Sequence, residues 1–230
     1  MQTAFVIIVA AGAGSRMKED IPKQFLLLDN RPVVMHTIEK FCHCSFNPEI
    51  ILVLSKEMEE YWKDLCEKYK FNKPLSVVFG GKSRFQSVRN GIDYIASKYH
   101  INANNKIAVH DGARPLVSSR LIEELYHVCT AEIKAVVPAV KSINSVRIGS
   151  QMNNKPYDRE TVWQIQTPQV FDAKLLIEAY KQQESTEFTD DASVVEKMSN
   201  TIFLHQGDQW NIKITYKEDL IIAHSLIKSI

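Results

Sequence analysis

Apolar residues fall in short unbroken runs, and the segments between those runs repeat their apolar positions at helical spacing. The runs are "AFVIIVA" (Ala4 to Ala10), "EIILVLS" from Glu49, "LSVVF" from Leu75, "KIAVH" from Lys106 and "AVVPA" from Ala135. Between them the pattern predicts helices near Val33 to Phe41, Lys56 to Tyr69, Arg84 to Lys98 and Ser119 to Cys129. In the third of these, Val88, Ile92, Ile95 and Tyr99 recur at helical spacing. Strand runs that carry no polar alternation and alternate with helices predict an α/β protein with a parallel sheet covered on its faces. In such sheets ligands sit at the carboxyl ends of the strands. The loops after the runs are therefore the places to look for chemistry.

From Val140 to Gln166 the pattern changes to two β-like pieces around a turn-rich centre holding Gly149, Asn153, Asn154 and Pro156. This predicts an excursion from the main body, read either as an edge hairpin or as an extended arm that pairs subunits. Helix-like segments near Ala173 to Lys181 and Asp190 to Lys197 follow, then the strand-like "IFLHQ", the segment "NIKIT" and a closing helix from Lys217. No repeat, low-complexity tract or linker divides the chain, so a single domain over 1–230 is expected, with an arm at about 139–162.

Composition narrows the class. The chain has 230 residues, 45% apolar and 24% charged, enough to bury a full core without disulfide support. Its formal charge is +1, from 28 basic and 27 acidic residues, so no global field draws it to a nucleic acid or an anionic membrane. Anions must be held locally. No run approaches membrane-spanning length and the first lacks a basic leader, which makes the cytoplasm the expected location. Four cysteines, Cys42, Cys44, Cys66 and Cys129, are too few for a disulfide framework, and "CHC" at Cys42 to Cys44 has no second Cys/His pair at zinc spacing.

Three loops carry polar chemistry. "AGAGSR" follows the first run, "GGKSR" follows "LSVVF" and "HDGARP" follows "KIAV". The first is neither a Walker A loop nor a dinucleotide fingerprint, because Met17 stands where the latter needs glycine. A glycine turn after a strand still lets backbone N–H groups approach phosphate oxygens, and Gly12 and Gly14 suit such a cradle. Arg16 and Lys23, seven positions apart, read as a clamp and a mobile charge for a polyphosphate, or as solvated surface cations. In the second loop Ser83 is a candidate helix cap. In the third, Asp111 can hold a hydroxyl or a metal ion, while His110 reads as a satisfied strand residue. No protein nucleophile motif is present. A phosphate monoester, with a second pKa of about 6, arrives already charged and needs none.

Taken in order, "AAGAGSRM", "PKQF", "GGKSRFQSV", "VHDGARP", "DRETVWQIQTPQVF", "TDDAS" and "NIKIT" resemble the 2-C-methyl-D-erythritol 4-phosphate cytidylyltransferases of the non-mevalonate isoprenoid pathway. The likeness runs from about Val6 to about Ala223. It implies a three-layer, Rossmann-like α/β nucleotidyltransferase fold with a mostly parallel sheet and a protruding β-arm. It also implies transfer of CMP from CTP to methylerythritol phosphate, with Mg²⁺ assisting, in a homodimer whose arms complete each other's sites. Residue by residue, it makes Arg16 and Lys23 the catalytic cations and gives Ala11, Gly12, Gly14, Gly81 and Ser87 to the nucleotide. Arg159, Ser142 and Lys213 would meet the acceptor phosphate. Asp111 and Arg114 would hold acceptor hydroxyls and neighbouring groups, with Thr167 and Thr189 nearby.

Three positions depart from the family pattern: Lys82 where an acidic residue is frequent, Lys141 where Asp is common, and Ser142 where Thr is usual. The nearest rival, a ribitol-5-phosphate cytidylyltransferase, tends to read "AGG" and "HDAVRP" where this chain has "AAG" and "HDGARP". A non-catalytic sugar-nucleotide-binding module would not need both Arg16 and Lys23.

Overall fold

Every apolar run becomes a strand of one eight-stranded sheet. The computed structural model describes residues 4–12 and 21–228. Strand β1 (Ala4–Ala10) is followed by a small hairpin, β2 (Leu27–Leu28) and β3 (Arg31–Pro32), and by α1 (Val33–Cys42). Next come β4 (Glu49–Leu54), α2 (Glu59–Lys68), β5 (Ser76–Phe79), α3 (Arg84–Lys98), β6 (Lys106–Asp111) and α4 (Ser119–Val128). β7 (Ala135–Lys141) leads into the hairpin β8 (Val146–Gly149) and β9 (Asn154–Tyr157), then into β10 (Trp163–Ile165) and β11 (Gln169–Asp172). The chain continues with α5 (Ala173–Ala179), α6 (Asp191–Glu196), β12 (Phe203–Gln206) and α7 (Lys217–Ile227).

β1 lies at the centre of the parallel half, with β4 on one side and β6 on the other, and β5 extends the sheet beyond β4. The period of two along these strands sorts the core into two layers. Val6, Ile8, Leu52 and Leu54 face one way, onto α1, α2 and α4. Phe5, Ile7, Ile51, Val53, Ile107 and Val109 face the other way, onto α3, α5 and α6. Sheet and two helical layers make the three-layer α/β nucleotidyltransferase fold. A third, smaller cluster of Leu28, Val33, Leu116, Ile214 and Ala223 seats α7 against the small hairpin.

The sequence pattern missed β11, and it counted β10 with the excursion rather than with the main sheet. β11 runs antiparallel between β6 and β7, and β10 pairs antiparallel with the far end of β7. Both strands are short, and Gln166, Thr167 and Pro168 separate them, so neither forms an apolar run. Residues 139–141, counted with the arm above, belong to β7 in the main sheet, whereas β8 and β9 pair as a separate two-stranded sheet. The segment from Lys56 begins as a 3₁₀ turn before α2 starts at Glu59.

Helix starts follow the local chemistry. Ser83 caps α3, its hydroxyl accepting from the Gln86 N–H at 3.1 Å. Asp190 caps α6 in a capping box with Ser193, and the fully buried Gln169 of β11 donates to Asp190 Oδ2 at 2.8 Å while accepting from the Ala192 N–H at 2.9 Å. That pair of bonds fixes the first turn of α6 to the sheet. Replacing Asp190 by Ala removes both the cap and the Gln169 partner, so Asp190→Ala is expected to lower unfolding free energy by about 1–2 kcal/mol, read from urea denaturation midpoints.

Candidate active site

The loops after β1, β5 and β6 converge at one end of the sheet, because those three strands run parallel. They enclose a cavity of about 430 Å³ whose walls include Ala11, Gly12, Lys23, Gly81, Ser87 and Asp111. Lys82, Arg84 and Lys213 line it too, so among the described residues four cations and one carboxylate stand on its wall. In a chain of net charge +1, this is a local anion site.

Gly80 and Gly81 explain how the loops pack. A Cβ on Gly80 would stand 2.6 Å from Ala11 Cβ and 2.7 Å from Ser87 Oγ, so the β5 loop lies against the β1 loop only without a side chain there. Ser87 donates to Ser83 O at 2.8 Å and accepts from the Gly81 N–H at 3.2 Å, which commits its proton to the loop's own shape. A Cβ on Gly12, in contrast, would meet no atom of the described residues within 4 Å. Gly14 and Arg16 lie outside the described residues.

Asp111, at the end of β6, organises the cations. Its carboxylate stands 2.8 Å from Lys213 Nζ, 3.5 Å from Arg114 Nε and 3.9 Å from Arg84 Nε. Burial pushes this carboxyl up, but Arg84, Lys213 and Arg114 outweigh burial and hold it well below the usual carboxylate range. Arg84 is itself held by a bidentate pair to the fully buried Asp191, at 2.6 and 2.9 Å, and Tyr180 donates its hydroxyl to the same carboxylate at 2.5 Å. Burial keeps the Tyr180 phenol protonated by raising it well above its ordinary value.

Behind Asp111 runs a hydrogen-bond chain whose direction is fixed by its ends. A backbone carbonyl can only accept, so His110 Nε2, 3.2 Å from Arg114 O, carries the proton. Nδ1 then accepts from the Thr167 hydroxyl at 3.0 Å, and Thr167 Oγ1 accepts the Asp111 N–H at 3.1 Å. Burial pushes the His110 imidazole down to about 4, so it is neutral near pH 7 and serves as a strand residue with both nitrogens engaged.

Of the residues expected at the site, Ala11, Gly12, Lys23, Gly81, Ser87, Asp111 and Lys213 line the cavity. Arg114 and Thr167 stand behind Asp111: Arg114 donates to Asn211 O at 2.7 Å, and Asn211 donates to Thr167 O at 2.8 Å. Ser142, Arg159 and Thr189 are not among the lining residues. Ser142 donates to Asn144 O at 3.1 Å and Arg159 to Ile143 O at 3.0 Å, both beside the β8–β9 hairpin, while Thr189 is exposed before α6. Lys141 pairs with Glu160 at 3.2 Å, so the extra cation is matched within the arm. Residues the sequence reading passed over are Gln24, Arg84, Asp191 and Thr215. The first three sit inside "PKQF", "GGKSR" and "TDDAS", but their partnerships span 12 to 107 positions and no spacing displays them.

Among the described residues, no group of three or more His, Cys, Asp or Glu side chains could hold a metal ion. Cys42 and Cys44 are free thiols, raised by burial, Cys44 to about 12. Asp111, the one carboxylate on the cavity wall among the described residues, is already met by cations. This donor set does not fit a cage built by the protein; it is compatible with Mg²⁺ carried on substrate phosphates and water.

Residues 4–229 match the family model of 2-C-methyl-D-erythritol 4-phosphate cytidylyltransferase. A protein of that name from Azobacteroides pseudotrichonymphae is 43% identical, over 99% of this chain and 100% of its own length. Its counterpart from Phocaeicola vulgatus is 44% identical, over 96% and 98%. The crystal structure of the Francisella tularensis 2-C-methyl-D-erythritol 4-phosphate cytidylyltransferase superposes with a TM-score of 0.81 at 29% identity, covering 97% of this chain and 99% of that one. The fold, the cation-lined cavity and these likenesses agree, and the chain belongs to the 2-C-methyl-D-erythritol 4-phosphate cytidylyltransferase family.

Proposed function

We propose that the protein transfers CMP from CTP to 2-C-methyl-D-erythritol 4-phosphate, forming 4-diphosphocytidyl-2-C-methyl-D-erythritol and pyrophosphate in isoprenoid biosynthesis. The observation that carries this reading is the cavity with Lys23, Lys82, Arg84 and Lys213 on the same wall as Asp111, in a chain of this family. An acceptor phosphate oxygen attacks the α-phosphorus of CTP, a new P–O bond forms, and the bond to the β-phosphate oxygen breaks in line. Negative charge gathers on the equatorial oxygens and the departing pyrophosphate. Arg16 and Lys23 meet that charge; Ala11, Gly12, Gly14, Gly81 and Ser87 shape the nucleotide's seat. Lys213, anchored by Asp111, draws in the acceptor phosphate, and Arg114 and Thr167 hold Asp111 in place. Mg²⁺ carried by the substrate would add neutralisation of the triphosphate charge to that of these side chains.

The acceptor half of the site is read as shared in a homodimer, with Arg159 and Ser142 of one arm, and Thr189 at the rim, completing the partner's cavity. Exposed apolar residues on and beside the hairpin, Ile143, Ile148, Met152 and Tyr157, support a contact there, Met152 being 97% exposed. The local placement of positive charge favours these small anions over a nucleic acid. No described helix is long and apolar enough to cross a membrane; the reaction is placed in the cytoplasm, with its nucleotide.

Lys23→Ala is expected to lower kcat by about 10² or more in a pyrophosphate-release assay, the usual scale for one preorganised transition-state donor; unchanged turnover would remove Lys23 from the mechanism. Mixed Lys23→Ala and Arg159→Ala subunits are expected to regain about a quarter of wild-type activity, since half the dimers are mixed and each has one intact site. No recovery, with subunit exchange confirmed by mass spectrometry, would count against the shared site. With CTP fixed, methylerythritol phosphate is expected to be used far better than ribitol 5-phosphate; the reverse preference would overturn the assigned acceptor.

A further inference from the structure

Gln24 follows Lys23 in the chain and lines the same cavity, yet it carries no charge and is almost completely buried. Its side-chain amide donates both hydrogens: Nε2 stands 2.6 Å from Ala10 O and 3.0 Å from Gly12 O. These carbonyls flank Ala11, at the point where the chain leaves β1. Gln24 itself belongs to the 3₁₀ turn Lys23–Phe25, which Pro22 opens and which closes with Phe25 N–H donating to Pro22 O at 2.9 Å. The next residue, Phe25, is buried in the core cluster that also holds Ala10 and Val34, and its ring meets Tyr61 edge-on at 5.7 Å.

Two consequences follow for the anion site. A carbonyl oxygen pointing into a polyphosphate cavity repels the ligand, and Gln24 turns two such oxygens onto itself. The same amide ties the outgoing strand end to the turn that carries Lys23, so the glycine backbone and the cation keep a fixed separation. We infer that Gln24 is a positioning residue for the nucleotide triphosphate: it fixes the polarity of the backbone at Ala10 to Gly12 and the place of Lys23 relative to it. This inference rests on the cytidylyltransferase reading for the identity of the nucleotide.

The test is a pair of near-isosteric variants, with CTP affinity measured by calorimetric titration, KM for each substrate, and a melting curve at every pH used. Gln24→Glu puts a carboxylate against two carbonyl oxygens; burial and those oxygens raise its pKa, and the protonated form regains one donated hydrogen bond. CTP affinity is expected to fall by about tenfold or more at pH 8 and to recover in part at pH 6, relative to wild type at the same pH, with the acceptor KM unchanged. Gln24→Met keeps the volume and has no donor, so its loss is expected to persist at both pH values. Wild-type CTP affinity in either folded variant would overturn the inference. Loss of the fold in both would overturn it too, assigning Gln24 to the core instead. A wild-type protein that binds CTP without transferring CMP would remove the reaction and leave Gln24's role standing.

Discussion

The Asp111 carboxylate is the group on which the site depends. Arg84, Arg114 and Lys213 come from three separate stretches of chain and converge on it. Without a negative charge among them, three cations in a partly dehydrated space would repel one another. Such a buried cluster adds little net stability, because each charge loses hydration on entering. What it provides is geometry, since the ionised Asp111 holds Lys213 Nζ at 2.8 Å on the cavity wall. The chain Asp111 N–H to Thr167 to His110 to Arg114 O serves that placement from behind.

The topology explains why so many segments can meet. Parallel strands deliver their ends to one edge, and β1, β4 and β6 do so through buried apolar runs, and β5 through a partly exposed one, that the sequence shows openly. β11 breaks the pattern by entering antiparallel between β6 and β7. That insertion places Thr167, just ahead of β11, beside the end of β6, within reach of Asp111. It also carries β7 outward, so its continuation forms the hairpin of the arm. The strands that were not legible are thus the ones that link the site to the arm, and they were hidden because they are short and interrupted by Gln166, Thr167 and Pro168. "NIKIT" is a related case: it forms no strand, and Ile214 is instead pinned by its N–H to Ala113 O at 2.9 Å, which brings Lys213 to the cavity.

Within the site, sequence revealed types of residue better than their tasks. Lys23, Asp111 and Lys213 all stand on the wall, although only Asp111 sits at a strand end; a 3₁₀ turn carries Lys23 there and an irregular segment carries Lys213. Thr167 and Arg114 were legible as polar residues, but both work at one remove, through Asp111. Arg84 and Asp191, 107 positions apart, make the tightest ion pair of the cluster and could be found only by folding the chain. Gln24 was hidden for a different reason: a neutral side chain between Lys23 and Phe25 attracts no attention until its hydrogen bonds are seen.

The glycines show how one residue type answers two demands. At Gly80 the protein itself occupies the space, because a Cβ would collide with Ala11 and Ser87, and the second loop would be pushed off the first. Packing alone explains that glycine. At Gly12 no atom of the described residues lies within 4 Å of the missing Cβ, so none of them demands a glycine there. A backbone without a Cβ, on a wall that also carries Lys23, Lys82, Arg84 and Lys213, is the kind of surface that an anion can approach closely. The distinction separates a glycine that the packing of the two loops requires, Gly80, from one that packing among the described residues does not require, Gly12.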